Sequence, residues 1–314
     1  MRKMIAGLLL LLCSSAALPR PFSFVAYGDT GYMLPRDAAR VDRLIGAINR
    51  ASPAFTIHVG DFKGYTSCSN AAYQKQYGEF GKHRHPLLLT PGDNDWFDCS
   101  AESAGGFDPL ERLAALRSFY FADDLSLGGR RMPLVRQSVQ FPENARWQHE
   151  GLVFATVHVI GPHNGFVRDE KLASEAVGRS RAGEAWVRDA FRVAREAKAP
   201  AIVLAFQADP WLSSAPVYEQ GPLDWLRNSI GEEAASFDGQ VLIVHGDSHR
   251  LIVDTPYRRA DVDAGTTRGL NITRLQVPGW PDHRAVRIDV DPARPGIFAF
   301  QLVMDAEEAG GARP

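Results

Sequence analysis

The sequence predicts an α/β protein built from two mixed β-sheets packed face to face, with helices on the outer faces. Short apolar runs rich in Val, Ile, Leu and Phe at residues 22–27, 55–59, 87–90, 152–160, 201–206 and 241–245 read as buried strands. Between them apolar residues recur at helical spacing: Val41, Leu44, Ile45 and Ile48, then Leu110, Leu113 and Leu116, then Trp186, Ala190 and Ala194. The last third changes character, since 251–254, 286–290 and 297–303 are strand-like, joined by turns and poor in helical pattern. Strands alternating with helices give the α/β class, and the C-terminal strands add antiparallel pairing. A mixed two-sheet layout is therefore favoured over a purely parallel, doubly wound sheet.

The 314 residues are 45% hydrophobic and 23% charged, which supplies a sizeable core and excludes disordered and fibrous classes. A formal charge of −2 gives no electrostatic footprint for nucleic acid. Residues 1–17 run from Arg2-Lys3 through an apolar stretch at 4–13 to small residues, the order of a secretory signal peptide. That stretch is half the roughly 20 residues a membrane-crossing helix needs, so no membrane span is expected after signal cleavage. The expected product is a secreted or periplasmic chain with one domain over 18–304 and a flexible tail at 305–314. Cys68 and Cys99 remain after cleavage, and an even pair in an oxidising compartment predicts a disulfide. It would tie together the segments that follow Asp61 and Asp93.

The chemistry sits at the strand ends. The first three strands close on Gly28-Asp29, Gly60-Asp61 and Gly92-Asp93, and the strand at 241–245 closes on Gly246-Asp247. A single Gly-Asp means nothing, because turns are full of them. Four at the carboxyl ends of strands, where α/β sheets bind ligands, point to one crevice. Carboxylates gathered in a partly dry crevice repel one another and must take up protons or a cation. A divalent metal is the simpler solution, and glycine before each aspartate lets the backbone turn and approach closely.

In order and context these motifs resemble the calcineurin-like metallophosphoesterase superfamily, which includes the purple acid phosphatases. The resemblance covers about residues 24–250 and rests on Asp29, Gly60-Asp61, Gly92-Asp93-Asn94-Asp95 and the closing Gly246-Asp247-Ser248-His249. It implies two packed sheets flanked by helices, two divalent metal ions at the strand ends, and a small phosphate monoester or diester as substrate. Carried over to this chain, Asp29 and His249 bind the first metal and Asp61 bridges both. Asp93 stands where the family has a metal-binding Asn, Gln207 where it has a lone His, and Asp247 where it has the first His of the closing motif. These departures make the second site rich in oxygen, which favours Mn or Mg over Zn, with Fe admissible at the first site. Purple acid phosphatases place a Tyr three residues after the bridging Asp; here that position is Gly64, with Tyr65 one residue late.

In this superfamily the metals lower the pKa of a bound water that attacks phosphorus, and a His in the third motif protonates the leaving oxygen. Asn94 holds that position here and can orient a substrate but cannot act as an acid. Loss of a general acid forfeits about 10²- to 10⁴-fold in rate. His163, in the loop 161–165, is the substitute candidate, with His83 and His85 as further options. Asp95 is placed to brace Asn94 or another group behind the ligands, and Lys63 and Arg250 are placed to bind substrate phosphate. Asp209 and Asp254 read as turn formers, and Asn271-Ile272-Thr273 as a chance match to a glycosylation acceptor. Two readings of other classes stand beside the enzyme: a non-catalytic metal- or phosphate-binding protein of the same fold, and an acidic cluster that binds Ca to stabilise loops. Specificity is expected from the loops at 64–82 and 98–108.

Overall fold

Twelve strands and five α-helices follow one another along the computed structural model, which describes residues 19–33, 35–64, 66–161, 163–167, 169–212, 221–257 and 271–304. The expected signal peptide, the tail at 305–314 and Tyr65 lie outside the described residues. The first half runs β1 (Phe22–Tyr27), α1 (Ala38–Ala51), β2 (Thr56–His58), α2 (Asn70–Gly81), β3 (Leu87–Leu89) and α3 (Pro109–Tyr120). Next come β4 (Val135–Arg136), β5 (Ala145–His149), β6 (Leu152–Thr156), α4 (Glu170–Glu196), β7 (Ala201–Ala205), α5 (Asp224–Ala234) and β8 (Gln240–His245). The chain then forms β9 (Ile252–Asp254), β10 (Ile272–Gln276), β11 (Ala285–Val290) and β12 (Phe298–Val303).

These strands make two mixed sheets, ordered β12-β11-β1-β2-β3 and β4-β5-β6-β7-β8-β10-β9. In the first, β1, β2 and β3 are parallel while β11 and β12 add antiparallel strands at the β1 side. In the second, β6, β7, β8 and β10 are parallel. The antiparallel pairing expected in the last third holds for β9 with β10 and for β11 with β12. β10 is not among the strands expected from the sequence: the chain leaves β8, reverses into the edge strand β9 and reverses again, so β10 runs parallel to β8.

Side-chain alternation explains the layers. Phe24, Ala26, Ile57 and Val59 of the first sheet meet Phe154, Val203, Ala205 and Val244 of the second in the central core. Their neighbours point the other way: Val25 and Tyr27 pack under helices α1 to α3, while Ile202 and Leu204 pack under α4 and α5. Strands buried on both faces carry continuous apolar runs, which is why they are legible in the sequence. The segment 64–82 is not a simple loop, since it contains α2. Only Tyr73 and Phe80 of that helix are buried, too few for an apolar stripe, and Ser69 caps it by accepting the Ala72 N–H at 3.3 Å. Asn271, the glycosylation look-alike, instead spends its amide on the carbonyls of Ala234, Phe237 and Gly239 at the end of α5. Among the described residues no helix is long and apolar enough to cross a membrane.

Cys68 and Cys99 are bonded, with Cα atoms 5.7 Å apart, and both are fully buried. The bridge joins the stretch after Asp61 to a short 3-10 turn after Asp93. Closing a loop across a separation of 31 residues restricts the unfolded chain by about 3–4 kcal/mol. Reduction is accordingly expected to lower the unfolding free energy by about that much, and equal thiol counts before and after reduction would refute the bond.

Candidate functional site

Asp29, Asp61, Asp93 and Asp247 leave the carboxyl ends of β1, β2, β3 and β8. Three of them, together with His249, have positive φ: 50° for Asp29, 51° for Asp61, 75° for Asp247 and 55° for His249. Those four are half of the eight non-glycine residues in that region among the described residues, a concentration of backbone strain that marks functional sites. Main-chain bonds lash the loops together: Asp29 N–H donates to Gly60 O at 3.0 Å and Thr30 N–H to Asp61 O at 3.1 Å. Asp247 N–H donates to Asp29 Oδ1 at 3.0 Å.

The glycines serve close approach more than turning. A Cβ on Gly92 would lie 2.0 Å from Asp61 Oδ1, and one on Gly246 would lie 2.0 Å from Asp29 Oδ2. Each glycine thus makes room for the carboxylate of another loop. Of the four preceding the aspartates, only Gly60 has positive φ.

Asp61 is the node of the site. Its Oδ2 accepts the Tyr32 hydroxyl at 2.6 Å and Asn94 Nδ2 at 3.1 Å, and its Oδ1 accepts Asn94 N–H at 3.2 Å. Gln207 Nε2 lies 3.4 Å from both Asp61 Oδ2 and Asp247 Oδ1. Tyr32 also faces His249 Nε2 at 3.2 Å, while His249 Nδ1 meets Trp280 O at 2.7 Å. Among the described residues no three Asp, Glu, His or Cys side chains stand ready as a group able to hold a metal ion. Tyr32 lies between Asp61 and His249, and Gln207 between Asp61 and Asp247. Two carboxylate oxygens nevertheless stay buried without a partner, Asp29 Oδ2 and Asp93 Oδ1. Unpaired carboxyl oxygens in a dry site are costly, and a hard divalent cation is what such a donor set fits.

Electrostatics agree with the geometry. Burial, then repulsion from Asp93, Asp29 and Asp95, holds the Asp61 carboxyl well above its ordinary range. Burial, then Asp247 and Asp98, does the same to Asp93. Asp29 is raised by burial, against the pull of His249. Burial pushes Asp95 and Asp247 up to about 7, in Asp247 with repulsion from Asp29 added. Groups raised in the fold favour their protonated form, so their stability contribution is complete below the unfolded carboxylate range and is lost as pH rises, for Asp95 and Asp247 through about 7. The melting temperature of chelator-treated protein is therefore expected to fall between about pH 4 and about pH 7.5, and divalent cation to reverse the fall. A cation response equal at both ends of that range would contradict this picture.

No protein-family model matches this sequence. No curated protein matches it either. Among solved structures, the chain is similar to GAP50, the anchor in the inner membrane complex of Plasmodium, at 11% identity over 91% of this chain and 89% of that one, with a TM-score of 0.49. It is similar to a candidate 5′-nucleotidase from Staphylococcus aureus in complex with alpha-ketoglutarate, at 14% identity, 91% and 55% coverage and a TM-score of 0.47. It is also similar to TT1561 of Thermus thermophilus, at 9% identity, 90% and 99% coverage and a TM-score of 0.48. The chain spans about half the length of the Staphylococcus protein.

The sequence-derived site residues divide by place. Asp29, Asp61, Asn94, Gln207, Asp247 and His249 come together through the bonds above, and Asp93 joins them electrostatically. Gln207 turns its oxygen to Gly161 N–H at 2.7 Å and its amide nitrogen to the carboxylates, so in this orientation it is a donor. Asp95 does not brace Asn94; it accepts the N–H groups of Asp61, Phe62 and Gly92 at 2.9, 3.0 and 2.8 Å and so binds the second loop to the third. Lys63 is buried and donates to the carbonyls of Gly64 and Thr66. Arg250 is exposed beside His249. His163 is half-buried two residues beyond Gly161, where a Cβ would lie 2.3 Å from Asp247 Oδ2. His83 is engaged with Tyr27 at 2.8 Å and His85 with Arg130 at 2.9 Å, which takes both away from the carboxylates.

Three participants were missed. Tyr32 packs its ring against His249 at 5.1 Å and stacks on Trp280 at 6.3 Å. Trp280 also donates its N–H to Asp29 O at 2.7 Å. Asp209 accepts the Ser248 hydroxyl at 2.5 Å and gives its N–H to Asp247 Oδ2 at 3.0 Å, so it supports the closing loop. The one available signal was Tyr32 itself, an aromatic hydroxyl three residues after Asp29.

Proposed function

We propose that this chain is a metal-dependent phosphoesterase that hydrolyses a small phosphate monoester or diester with metal-activated water. The observation that carries the reading is the pair of buried, unpartnered oxygens, Asp29 Oδ2 and Asp93 Oδ1, inside a cluster of strand-end carboxylates. Asp29 and His249 would hold a first divalent ion, Asp93 and Asp247 a second, and Asp61 both. The oxygen-rich second set favours Mn or Mg over Zn, with Fe admissible at the first. When bound, such ions supply a water of lowered pKa and offset the charge of the phosphoryl group.

The chain's own residues set the rest. Trp280 O holds His249 Nδ1, which leaves Nε2 to face the site. Tyr32 and Gln207, now partners of the carboxylates, would exchange those bonds when a cation enters. Asn94 orients but carries no acidic proton, so His163, on the loop against Asp247, is the candidate to protonate the leaving oxygen. Arg250 meets the incoming anion at the rim, whereas Lys63 would have to give up loop carbonyls to reach it.

The test incubates purified protein with an aryl phosphate and a bis-aryl phosphate in Mn, Mg, Ca, Zn or Fe. Turnover with Mn or Mg is expected. Metal uptake without turnover in any metal would favour the non-catalytic binder, to which Asn94 lends support. Cation-dependent melting without phosphate affinity would favour loop-stabilising calcium.

A further inference from the structure

A cavity of about 320 Å³ lies on the outer face of the first sheet, between α1 and α2. Its apolar lining includes Val41 and Ile45 from α1, Tyr73 and Phe80 from α2, and Phe62, while Lys75, Gln76 and Glu79 of α2 also line it. Well-packed cores leave few voids larger than a water molecule, and this volume is in the range of small-molecule sites. Its lining also includes Thr30 and Gly31, which directly follow Asp29, and Lys63, two residues after Asp61. The cavity therefore borders the loops that carry Asp29 and Asp61.

One ring nitrogen in the buried lining is open on the cavity side. His58 is 1% exposed and lines the cavity. Its Nδ1 accepts the Gly60 N–H at 3.1 Å, which places the ring proton on Nε2. Among the described residues no acceptor takes that proton. Tyr27, beside it, is already hydrogen-bonded to His83. A donor left open toward a cavity is a point at which a ligand acceptor can bond.

Resting on the phosphoesterase reading, we propose that this cavity holds the organic group of the ester: a planar, apolar ring system with one hydrogen-bond acceptor that meets His58 Nε2. Aromatic walls favour a ring, because edge and face contacts add to the burial of its surface. The His58 donor gives the ring one fixed point of orientation.

Calorimetric binding of phenylphosphonate, methylphosphonate and naphthol to the whole protein in excess Mn tests this. Phenylphosphonate is expected to bind at least about tenfold more tightly than methylphosphonate, since the ring leaves water. Ala72→Phe, which fills the cavity from α2, is expected to erase that preference and abolish naphthol binding. Ala38→Phe fills it from α1 and serves if the first variant does not fold, as judged by its melt. Equal affinities for the two phosphonates, or a preference that survives both folded variants, would overturn the proposal. If neither phosphonate binds, the phosphoesterase reading fails by itself. Naphthol then reports on the cavity alone, and absence of naphthol binding would remove the cavity site as well.

Discussion

Asp61→Asn is expected to lower phosphate ester turnover by about 10³-fold or more and to reduce metal stoichiometry, because one carboxylate shared between ions supplies several kcal/mol of charge stabilisation. Asparagine keeps the shape but removes the anion. It also puts an amide N–H₂ among the donors of Tyr32, Asn94 and Gln207, which now converge on the carboxylate. Stability of the metal-free form should change little. Relief of the repulsion with Asp93, Asp29 and Asp95 opposes the loss of an acceptor. Turnover, metal titration and melting measured together separate lost function from lost fold. Full stoichiometry with unimpaired turnover would show that Asp61 is not the shared ligand.

Glu143→Ala is expected to have the largest effect on stability, about 3–5 kcal/mol, because it breaks a buried ion pair from one side. Glu143 is fully buried and accepts Arg117 Nε at 3.0 Å, Arg117 Nη2 at 2.6 Å and His158 Nδ1 at 2.8 Å. Trp96 Nε1 donates to His158 Nε2 at 3.1 Å, so His158 carries its proton on Nδ1 and gives it to Glu143. Burial alone would raise this carboxyl, but the His158 and Arg117 bonds more than offset it and hold it well below the ordinary range. A depressed carboxyl stabilises above its unfolded pKa and loses that contribution as pH falls, so the gap between wild type and variant should narrow in acid. Trp96 directly follows Asp95, and disorder should spread to the third loop. Denaturant midpoints at neutral and acid pH give the check; equal midpoints at neutral pH would refute the role.

Legibility followed the range of the forces involved. β1, β7 and β8 are buried on both faces and announce themselves as apolar runs, whereas β5 alternates outward polar residues and α2 buries only Tyr73 and Phe80. Gly-Asp at a strand end is local and could be read directly. Asp95 was legible as a brace behind the ligands, but its partners were not, since backbone N–H groups on a loop 33 and 34 residues away leave no mark in sequence.

By itself the sequence determined the α/β class, the strand ends, the acidic residues that follow them and the cysteine pair, because apolar periodicity and turn chemistry are short-range. Only the tertiary structure decided that Tyr32 reaches His249 across 217 positions, that Gln207 presents nitrogen and not oxygen, and that Trp280 closes the site. Those outcomes depend on which loops the two sheets bring together. Hydrogen-bond partners are chosen by that packing and not by neighbours in the chain.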